Sequence, residues 1–256
     1  GYGLSPFVFS PLISACLKHI GFSGTFIVWA ALFALSGLVT TVFVRDPPQR
    51  FFDTLAADQK PGASAIRIRQ FSPNEMLRTR EYYQITLAFF CYVPTYIMIS
   101  SIFVQFGADK GLTDAMAVSG VMLASIAGVT ARFSVSALSD KLGRGMALSA
   151  MIVLTIAGGL LLVVARSYLY VVCFMMITFA YNGGLATFPS LATDHFGVQY
   201  AGPNYGLILL GFGVSSLLCP LLSKAVSTTA MGTSLSFLIA AASGVASLVL
   251  ILTLKK

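Results

Sequence analysis

Long uncharged stretches follow one another along most of this chain. They share a length of 17 residues or more and the absence of Asp, Glu, Lys and Arg, and they are Gly1–Leu17, Gly21–Val44, Tyr82–Ala108, Gly145–Ala165, Ser167–Thr193, Phe196–Ser223 and Ala225–Leu254. An eighth stretch, Ala115–Leu138, has the same character except for Arg132. Because a helix that crosses a bilayer needs about 17–25 mainly apolar residues, the pattern predicts eight spanning helices.

The composition supports a membrane location for these helices. Hydrophobic residues make up 57% of the 256 residues and charged residues only 10%, whereas soluble domains contain about 25% charged residues. Such a chain could not cover itself with a hydrated surface, so we interpret it as a multi-pass integral membrane protein. The net charge of +7 is then typical of cationic loops that fix orientation in the bilayer and does not indicate a nucleic-acid partner.

One long polar segment, residues 45–81, separates the first two stretches from the other six. Dipeptides that break regular structure, such as Pro47-Pro48 and Pro61-Gly62, interrupt it, which is typical of a linker. Ser72–Glu81 could form a short interfacial helix capped at Ser72, or an irregular loop. If the linker is cytoplasmic, eleven Lys and Arg residues lie on that side and four on the other, in agreement with the positive-inside rule.

Arg132 is a charge in the middle of a predicted span, where it costs about 2.5–3.5 kcal/mol on insertion scales. It belongs to a stripe of small and polar residues at helical spacing, namely Ser125, Gly128, Arg132, Ser136 and Ser139. We interpret the stripe as facing a watery cavity and Arg132 as an anion-binding group, because a guanidinium binds a carboxylate through two parallel hydrogen bonds. The alternative is an arginine that snorkels to the cytoplasmic end or binds backbone carbonyls.

Polar residues on two other spans are further candidates for a substrate site. Tyr92 and Tyr96 share a helix face with Ser100 and could line the same cavity, since they lie too deep for an interfacial aromatic belt. Tyr181 and Asn182 lie in the middle of another span. There Asn182 indicates either a polar pathway or a helix–helix contact, and the sequence favours neither.

The segment after the Arg132 span reads Ser139-Asp140-Lys141-Leu142-Gly143-Arg144. An acid, two cations and a glycine in a short turn could form ion pairs between neighbouring helix ends. Such pairs would form in one conformation and break in another. We therefore interpret Asp140, Lys141, Gly143 and Arg144 as a gating loop.

This loop resembles a motif of the major facilitator superfamily, whose usual form is Gly-x-Leu-x-Asp-Arg-x-Gly-Arg. Further segments resemble the same superfamily, in particular its oxalate/formate antiporter and monocarboxylate transporter branch. These segments are Gly21–Phe26 with Arg45–Pro48, Ser72–Tyr83, Phe188–Ser190, Asp194–Gly197, Asn204–Gly206 and Gly211–Gly213. Their order and spacing extend the resemblance over nearly the whole chain.

The resemblance implies an all-α, polytopic membrane helix bundle, the major facilitator fold lacking its first four helices. Residues 1–44 would then be the last two helices of the N-terminal six-helix half. Residues 45–81 would be the cytoplasmic central linker, and residues 82–256 the C-terminal six-helix half. Because the first residue is Gly1 rather than Met, we expect the chain to be N-terminally truncated.

The resemblance also implies a role for Arg132. Monocarboxylate carriers and oxalate/formate antiporters have an arginine at this place in the eighth helix that holds the substrate carboxylate. Many monocarboxylate carriers have an Asp four residues earlier, where this chain has Gly128. The oxalate exchanger has a lysine within its eleventh helix, whereas here the nearby cation is Lys224, at the far end of that run. A dicarboxylate would therefore keep one charge unpaired in low dielectric, which favours a monocarboxylate.

We expect a secondary-active carrier of a small organic anion, a formate-, lactate- or pyruvate-like monocarboxylate, that works by alternating access in the plasma membrane or bacterial inner membrane. Its further partners would be the lipid bilayer and a coupled proton or counter-anion. The alternatives are a carrier of another class, such as a dicarboxylate, drug or sugar, and a non-transporting membrane sensor or scaffold. No enzyme activity, metal or cofactor is expected, because both histidines lie outside the span cores and no HExxH or GxSxG pattern occurs.

Overall fold

The computed structural model of the protein describes residues 5–43, 69–107, 110–227 and 232–254. Within these ranges the regular secondary structure is helical, and turns or short irregular links join the helices. The chain forms two compact units, Gly1–Arg67 and Ile68–Lys256. The division falls inside the predicted linker, residues 45–68 of which lie outside the described residues. The three-part domain assignment and the cytoplasmic location of the linker stay predictions.

The first unit contains the helix α1, Ser5–Phe43, which is broken at Gly21. Gly21 has φ 68° and ψ −176°, a backbone conformation that is open to glycine and strained for other residues. An unbroken helix of 39 residues would be about 58 Å long, nearly twice the thickness of the hydrocarbon core. The break therefore divides α1 close to the point at which the sequence predicted a boundary between two spans.

Seven described helices are long and apolar enough to cross a membrane, one fewer than the eight predicted. The difference arises in α1, because its spanning stretch, Ala15–Phe43, runs through the break at Gly21. The described residues of the first two predicted runs therefore belong to one kinked helix, Ser5–Phe43.

The second unit contains eight described helices. They are α2 (Pro73–Met76), α3 (Arg80–Tyr92), α4 (Pro94–Gly107), α5 (Asp114–Leu142), α6 (Arg144–Val164), α7 (Ser167–Phe196), α8 (Ala201–Ser227) and α9 (Gly232–Leu252). The apolar stretch Arg80–Ser100 runs through α3 into α4, so these two helices form one span with a break at Pro94. This unit therefore provides six candidate spans among its described residues.

The break between α3 and α4 follows from Pro94. Proline has no N–H, so the carbonyl of Phe90 one turn earlier loses its helical donor. The hydroxyl of Ser215 on α8 donates to that carbonyl at 2.8 Å and replaces the missing hydrogen bond. Polar hydroxyls are one of the ways in which kinked membrane helices satisfy freed backbone groups. Pro189 and Pro220, in contrast, lie inside α7 and α8, which continue through them.

The helix predicted at Ser72–Glu81 is only partly present. The structure contains the single turn α2 after Ser72, and a new helix then begins at Arg80 with Thr79 as its N-cap. The Glu75 carboxylate accepts hydrogen bonds from the backbone N–H of Ser72 at 2.9 Å and from its hydroxyl at 2.8 Å. These bonds hold the pKa of Glu75 below its ordinary value, the backbone bond contributing most. The segment is therefore capped as expected but much shorter.

Helix α7 lies at the centre of the second unit and packs against α5 and α6. Two adjacent glycines allow its neighbours to approach closely. A Cβ on Gly183 would lie 2.7 Å from Val135 of α5, and a Cβ on Gly184 would collide with the hydroxyl of Tyr92 on α3. Such small residues are typical of tightly packed membrane helices, and these two glycines determine how α7 meets α5 and α3 beside Asn182.

Large apolar side chains are exposed on the outside of the spanning helices. Phe133 is 76% exposed and Leu217 is 75% exposed. In water such surfaces would drive association, whereas in a bilayer they contact lipid. The distribution agrees with a membrane helix bundle.

Candidate functional site

Arg132 lies on α5, ten residues before the helix ends at Leu142, and therefore about 15 Å from that end. Its side chain is half-buried. The guanidinium donates two hydrogen bonds to the side-chain oxygen of Asn182 on α7, from Nε at 3.2 Å and from Nη2 at 2.9 Å. The structure thus joins two residues that the sequence had singled out separately. Of the two interpretations of Asn182, it supports a contact between helices.

The position of Asn182 is set by both helices. Its Nδ2 donates to the carbonyl of Thr178, one turn earlier on α7, at 2.9 Å, so that Oδ1 points to Arg132. On the α5 side, a Cβ added to Gly128 would lie 2.8 Å from Nδ2 of Asn182. Gly128 therefore leaves the space that the amide fills. At the position where many monocarboxylate carriers have an acid, this chain has room for a neutral amide from the neighbouring helix.

Tyr92 is fully buried, which corrects the prediction that it lines an open cavity. Its hydroxyl donates to the carbonyl of Ala180 at 2.9 Å and lies 3.1 Å from the carbonyl of Tyr181. The contact is close because Gly184 has no side chain to keep the phenol away from α7. In this conformation Tyr92 fastens α3 to α7.

Tyr96 and Tyr181 belong to a column of aromatic rings in which α3 and α4 alternate with α7. The rings of Tyr96 and Tyr181 are stacked, with centroids 4.4 Å apart and planes at 17°. Tyr96 is half-buried, whereas Tyr181 is 4% exposed. Stacked or offset rings add to the stability that burial alone provides. In order, the column contains Tyr92, Tyr181, Tyr96, Phe174, Phe103 and Tyr170.

The small and polar stripe of α5 lies partly inside protein contacts. Gly128 and Ser139 are buried, and Ser125, Arg132 and Ser136 are half-buried. The Ser125 hydroxyl donates to the carbonyl of Val121, on its own helix, at 2.9 Å. The interpretation of the whole stripe as the wall of a watery cavity is therefore too broad, because Gly128 packs against α7.

The predicted gating loop joins the ends of three helices through Arg144, the first residue of α6. Arg144 forms an ion pair with Asp140 near the end of α5, and its Nε lies 3.5 Å from Oδ2 of Asp194 near the end of α7. Its Nη1 also donates to the hydroxyl of Ser139 at 2.6 Å. The two acids place negative charge beside the N-terminus of α6, where the helix dipole favours it.

The other two residues of this loop have separate places. Gly143 has φ 91°, in the left-handed region that favours glycine, and it allows α5 to end and α6 to begin without an intervening loop. Lys141 is exposed. The loop therefore has the bridging geometry expected from its sequence, with Arg144 as the bridging cation.

Sequence reasoning did not assign two residues that the structure brings into these sites. Asp194 was visible as an acid near the end of a span, but its pairing with Arg144 depends on how α7 packs. Gly128 was recognised as a departure from an acidic position, whereas its role as the space for Asn182 becomes visible only in three dimensions. In the part of the chain that the structure describes, no group of three His, Cys, Asp or Glu residues could hold a metal ion.

Comparisons with known proteins agree with this architecture. A family model, the Major Facilitator Superfamily, matches residues 1–209. The chain is 23% identical over 219 residues to the uncharacterized MFS-type transporter YhjX of Escherichia coli strain K12, covering 84% of this chain and 52% of YhjX. It is 26% identical over 247 residues to the oxalate:formate antiporter of Oxalobacter formigenes, covering 94% of this chain and 56% of the antiporter. The chain thus spans about half the length of the curated relatives it matches.

Solved structures show the same fold. The fucose:proton symporter FucP of Escherichia coli is similar with a TM-score of 0.60 and 18% identity, over 72% of this chain and 45% of the symporter chain. FucP in its outward conformation gives a TM-score of 0.61 and 17% identity, over 93% of this chain and 55% of that chain. These matches, with the seven membrane-length helices, confirm the predicted all-α, multi-pass membrane fold and agree with a plasma-membrane location.

Proposed function

Because the chain belongs to the major facilitator superfamily, we propose that the complete protein is a secondary-active carrier of a small organic monocarboxylate that works by alternating access. Membership of this transporter family agrees with the expectation of a carrier rather than an enzyme. The choice of substrate class rests on one observation, the mid-span guanidinium of Arg132 hydrogen-bonded to the neutral amide of Asn182.

The environment of Arg132 suits an anion that carries its own negative charge. The spanning parts of α5, α6 and α7 contain no Asp or Glu between their ends. Asp140, the nearest acid in sequence, lies about 12 Å further along α5. The amide of Asn182 contributes an oxygen dipole but no formal charge, whereas a bound carboxylate would contribute a full charge and two acceptor oxygens in the geometry that a guanidinium prefers.

A monocarboxylate fits the described cations better than a dicarboxylate does. Lys224 lies in the last turn of α8, far from the middle of a span, so it is badly placed to pair with a second carboxylate held near Arg132. An unpaired charge at that depth would be costly. The antiporter relative is named for both oxalate and formate, and this likeness supports carboxylates as a class while leaving the dicarboxylate as the second candidate.

We assign supporting roles to the remaining candidate residues. Tyr96, which is half-buried, would present a phenol to the substrate, and Tyr181 would hold that ring in place by stacking. Tyr92 would contribute by fastening α3 to α7. The ion pairs of Arg144 with Asp140 and Asp194 would stabilise one of the two conformations that alternating access requires. A proton or a counter-anion would be coupled to substrate movement.

The test is a transport measurement on the complete protein in proteoliposomes. Radiolabelled formate, lactate and pyruvate would be compared with oxalate and with a neutral sugar, for the wild type and for Arg132→Gln. We expect saturable uptake of a monocarboxylate that Arg132→Gln abolishes while the variant still inserts into the membrane. Uptake of the sugar alone, or monocarboxylate uptake by Arg132→Gln at the wild-type rate, would contradict the proposal. Preference for oxalate would support the second candidate.

A further inference from the structure

We propose that Asn182 is an internal stand-in for the substrate carboxylate. In the empty carrier its amide oxygen accepts hydrogen bonds from the guanidinium of Arg132, and this oxygen is displaced when the anion binds. This inference rests on the proposed function, because it concerns the same arginine. Asn182 then positions the guanidinium and contributes to specificity, and its contact with Arg132 does not persist throughout transport.

The geometry of the pair carries the inference. A single oxygen, Oδ1 of Asn182, accepts from both Nε and Nη2 of Arg132. These two N–H groups form one edge of the guanidinium fork, the edge that can bind the two oxygens of a carboxylate side by side. An anion that uses this edge must take the place of the Asn182 oxygen. Because the other side-chain atom of Asn182, Nδ2, is held by the Thr178 carbonyl, the amide is anchored and its oxygen is aimed at the arginine.

The amide of Asn182 and the substrate carboxylate that replaces it are nearly isosteric but differ in charge. An amide oxygen holds the guanidinium in position and reduces the cost of keeping a charge within the span. The bond from the guanidinium to the amide is already charge-assisted, but an ionised carboxylate adds a full opposite charge and a second acceptor oxygen in bidentate geometry. It should therefore displace the amide, whereas a neutral molecule should not. Asn182 therefore selects for anions, because an acceptor weaker than its amide oxygen cannot displace it from Arg132.

The neutrality of Asn182 also has a consequence for pH dependence. The amide does not titrate, so its displacement neither takes up nor releases a proton. Tyr181 adjoins Asn182 in sequence, and its ring stacks with those of Tyr92 and Tyr96. Apart from Arg132, the acids, cations and histidine on α5, α6 and α7 lie towards the helix ends, and they are Asp114, Asp140, Lys141, Arg144, Asp194 and His195.

Asn182→Asp should therefore change the coupling of the carrier. An aspartate in this place would pair with Arg132 as a full anion and compete strongly with the substrate. Substrate binding would then require that the new carboxyl be protonated, because two carboxylates that share one guanidinium repel each other. Through linkage, the apparent Kd of the variant for the anion should rise with pH, by at most about tenfold per pH unit, relative to the wild type.

Asn182→Ala provides the complementary change. It removes the competing oxygen from the Nε–Nη2 edge of Arg132, so an anion can bind at that edge without displacing the amide. The apparent Kd should then fall, by roughly 10- to 150-fold if the hydrogen bond from the guanidinium to the amide oxygen has the usual strength of a hydrogen bond to a charged group. Thr187→Val is the matched control, because Thr187 is also buried on α7 and donates to a carbonyl of its own helix. It should leave the Kd and its pH dependence unchanged.

The experiment measures formate and lactate binding to the complete protein between about pH 6 and 8, where a small carboxylic acid is ionised. Tighter binding by Asn182→Ala and a new pH dependence in Asn182→Asp are the expected results. If Asn182→Asp folds and follows the wild-type pH profile, or if Asn182→Ala folds and binds the anion no more tightly, the stand-in role is wrong. Should Asn182→Ala not fold, the Asn182→Asp profile decides. Failure of the wild type to bind either anion would instead contradict the proposed function.

Discussion

Asn182 and Arg132 meet across the α5–α7 contact, with Oδ1 of Asn182 2.9 Å from Nη2 of Arg132 and 3.2 Å from its Nε. The pair depends on two features of its surroundings. Gly128 leaves room on α5 for the amide, and the Thr178 carbonyl on α7 fixes the amide's orientation. The guanidinium is therefore held by Asn182 before any substrate arrives, and an anion that uses the Nε–Nη2 edge must displace the amide oxygen.

Arg132→Lys tests whether the fork geometry of the guanidinium matters. The substitution keeps the positive charge but removes the paired N–H groups, so anion binding should weaken by about 1.5–3 kcal/mol, the range for a hydrogen bond to a charged group. Substrate-dependent shifts of the melting temperature of the complete protein would measure the change, because a ligand that binds only the folded state stabilises it. Equal shifts in the variant and the wild type would show that charge alone suffices.

Gly128→Ala tests the room that Asn182 occupies. The added Cβ would lie 2.8 Å from Nδ2 of Asn182, so the amide must move away from Arg132 and anion binding should change. Gly183→Ala is the matched control, because its Cβ would crowd Val135 at 2.7 Å in the same helix contact without touching the pair. Both variants should lose stability, by about 1–3 kcal/mol for overpacking, but only Gly128→Ala should alter the Kd for the anion. An equal effect of both on the Kd would contradict this role of Gly128.

Much of the fold could be predicted from the sequence because lipid imposes a simple rule on helix length. Uncharged runs such as Gly145–Ala165 and Ser167–Thr193 correspond closely to α6 and α7. The first two runs were harder, since Gly21 interrupts α1 through its backbone conformation rather than through a charge. A glycine with positive φ cannot be distinguished in sequence from one that serves close packing, as Gly183 does.

The candidate site could be predicted only one helix at a time. Arg132 and Asn182 were identified as unusual polar residues within spans, and both lie where the sequence placed them. Their hydrogen bond depends on the rotation and packing of α5 against α7, which no periodicity determines. Tyr92 was misjudged for a related reason, since its burial follows from the absence of a side chain at Gly184, on a helix distant in sequence.

Ser215→Ala should destabilise the kink at Pro94. The Ser215 hydroxyl donates to the Phe90 carbonyl that proline leaves without a donor, and polar bonds between membrane helices contribute about 0.6 kcal/mol on average and up to about 1.7 kcal/mol. The neighbouring Ser216 is a matched control, because its buried hydroxyl makes no hydrogen bond within the described residues. Thermal unfolding in detergent should show a lower melting temperature for Ser215→Ala and little change for Ser216→Ala.

A double-mutant cycle with Pro94→Ala separates this bond from general packing. Alanine at position 94 restores an N–H that can donate to Phe90, so Ser215→Ala should cost less in that background than in the wild type. An equal cost in both backgrounds would mean that the Ser215 hydroxyl does not act through the proline kink.

The ion pairs of Arg144 should affect the rate of transport more than the stability of the fold. The side chains of Asp140 and Asp194 are 60% and 52% exposed, and exposed ion pairs contribute only about 0–1 kcal/mol. Asp140→Asn and Asp194→Asn should therefore shift the melting temperature little. If the pairs form in one conformation of the carrier and break in the other, each substitution should change the turnover rate measured in proteoliposomes while leaving the Kd for the substrate nearly constant.

Charge reversal distinguishes a specific pair from a general effect of charge near the membrane surface. Arg144→Asp alone should place three acids together and disturb turnover, and combining it with Asp194→Arg should restore part of the rate, because the opposite charges face each other again. Lys141→Gln is the control for net charge, since Lys141 is an exposed cation in the same turn. Partial rescue by the double reversal with a near-normal rate in Lys141→Gln is the expected pattern. If Lys141→Gln slows transport as much as Arg144→Gln does, the effect belongs to the cationic surface and the bridging geometry of Arg144 has no part in gating.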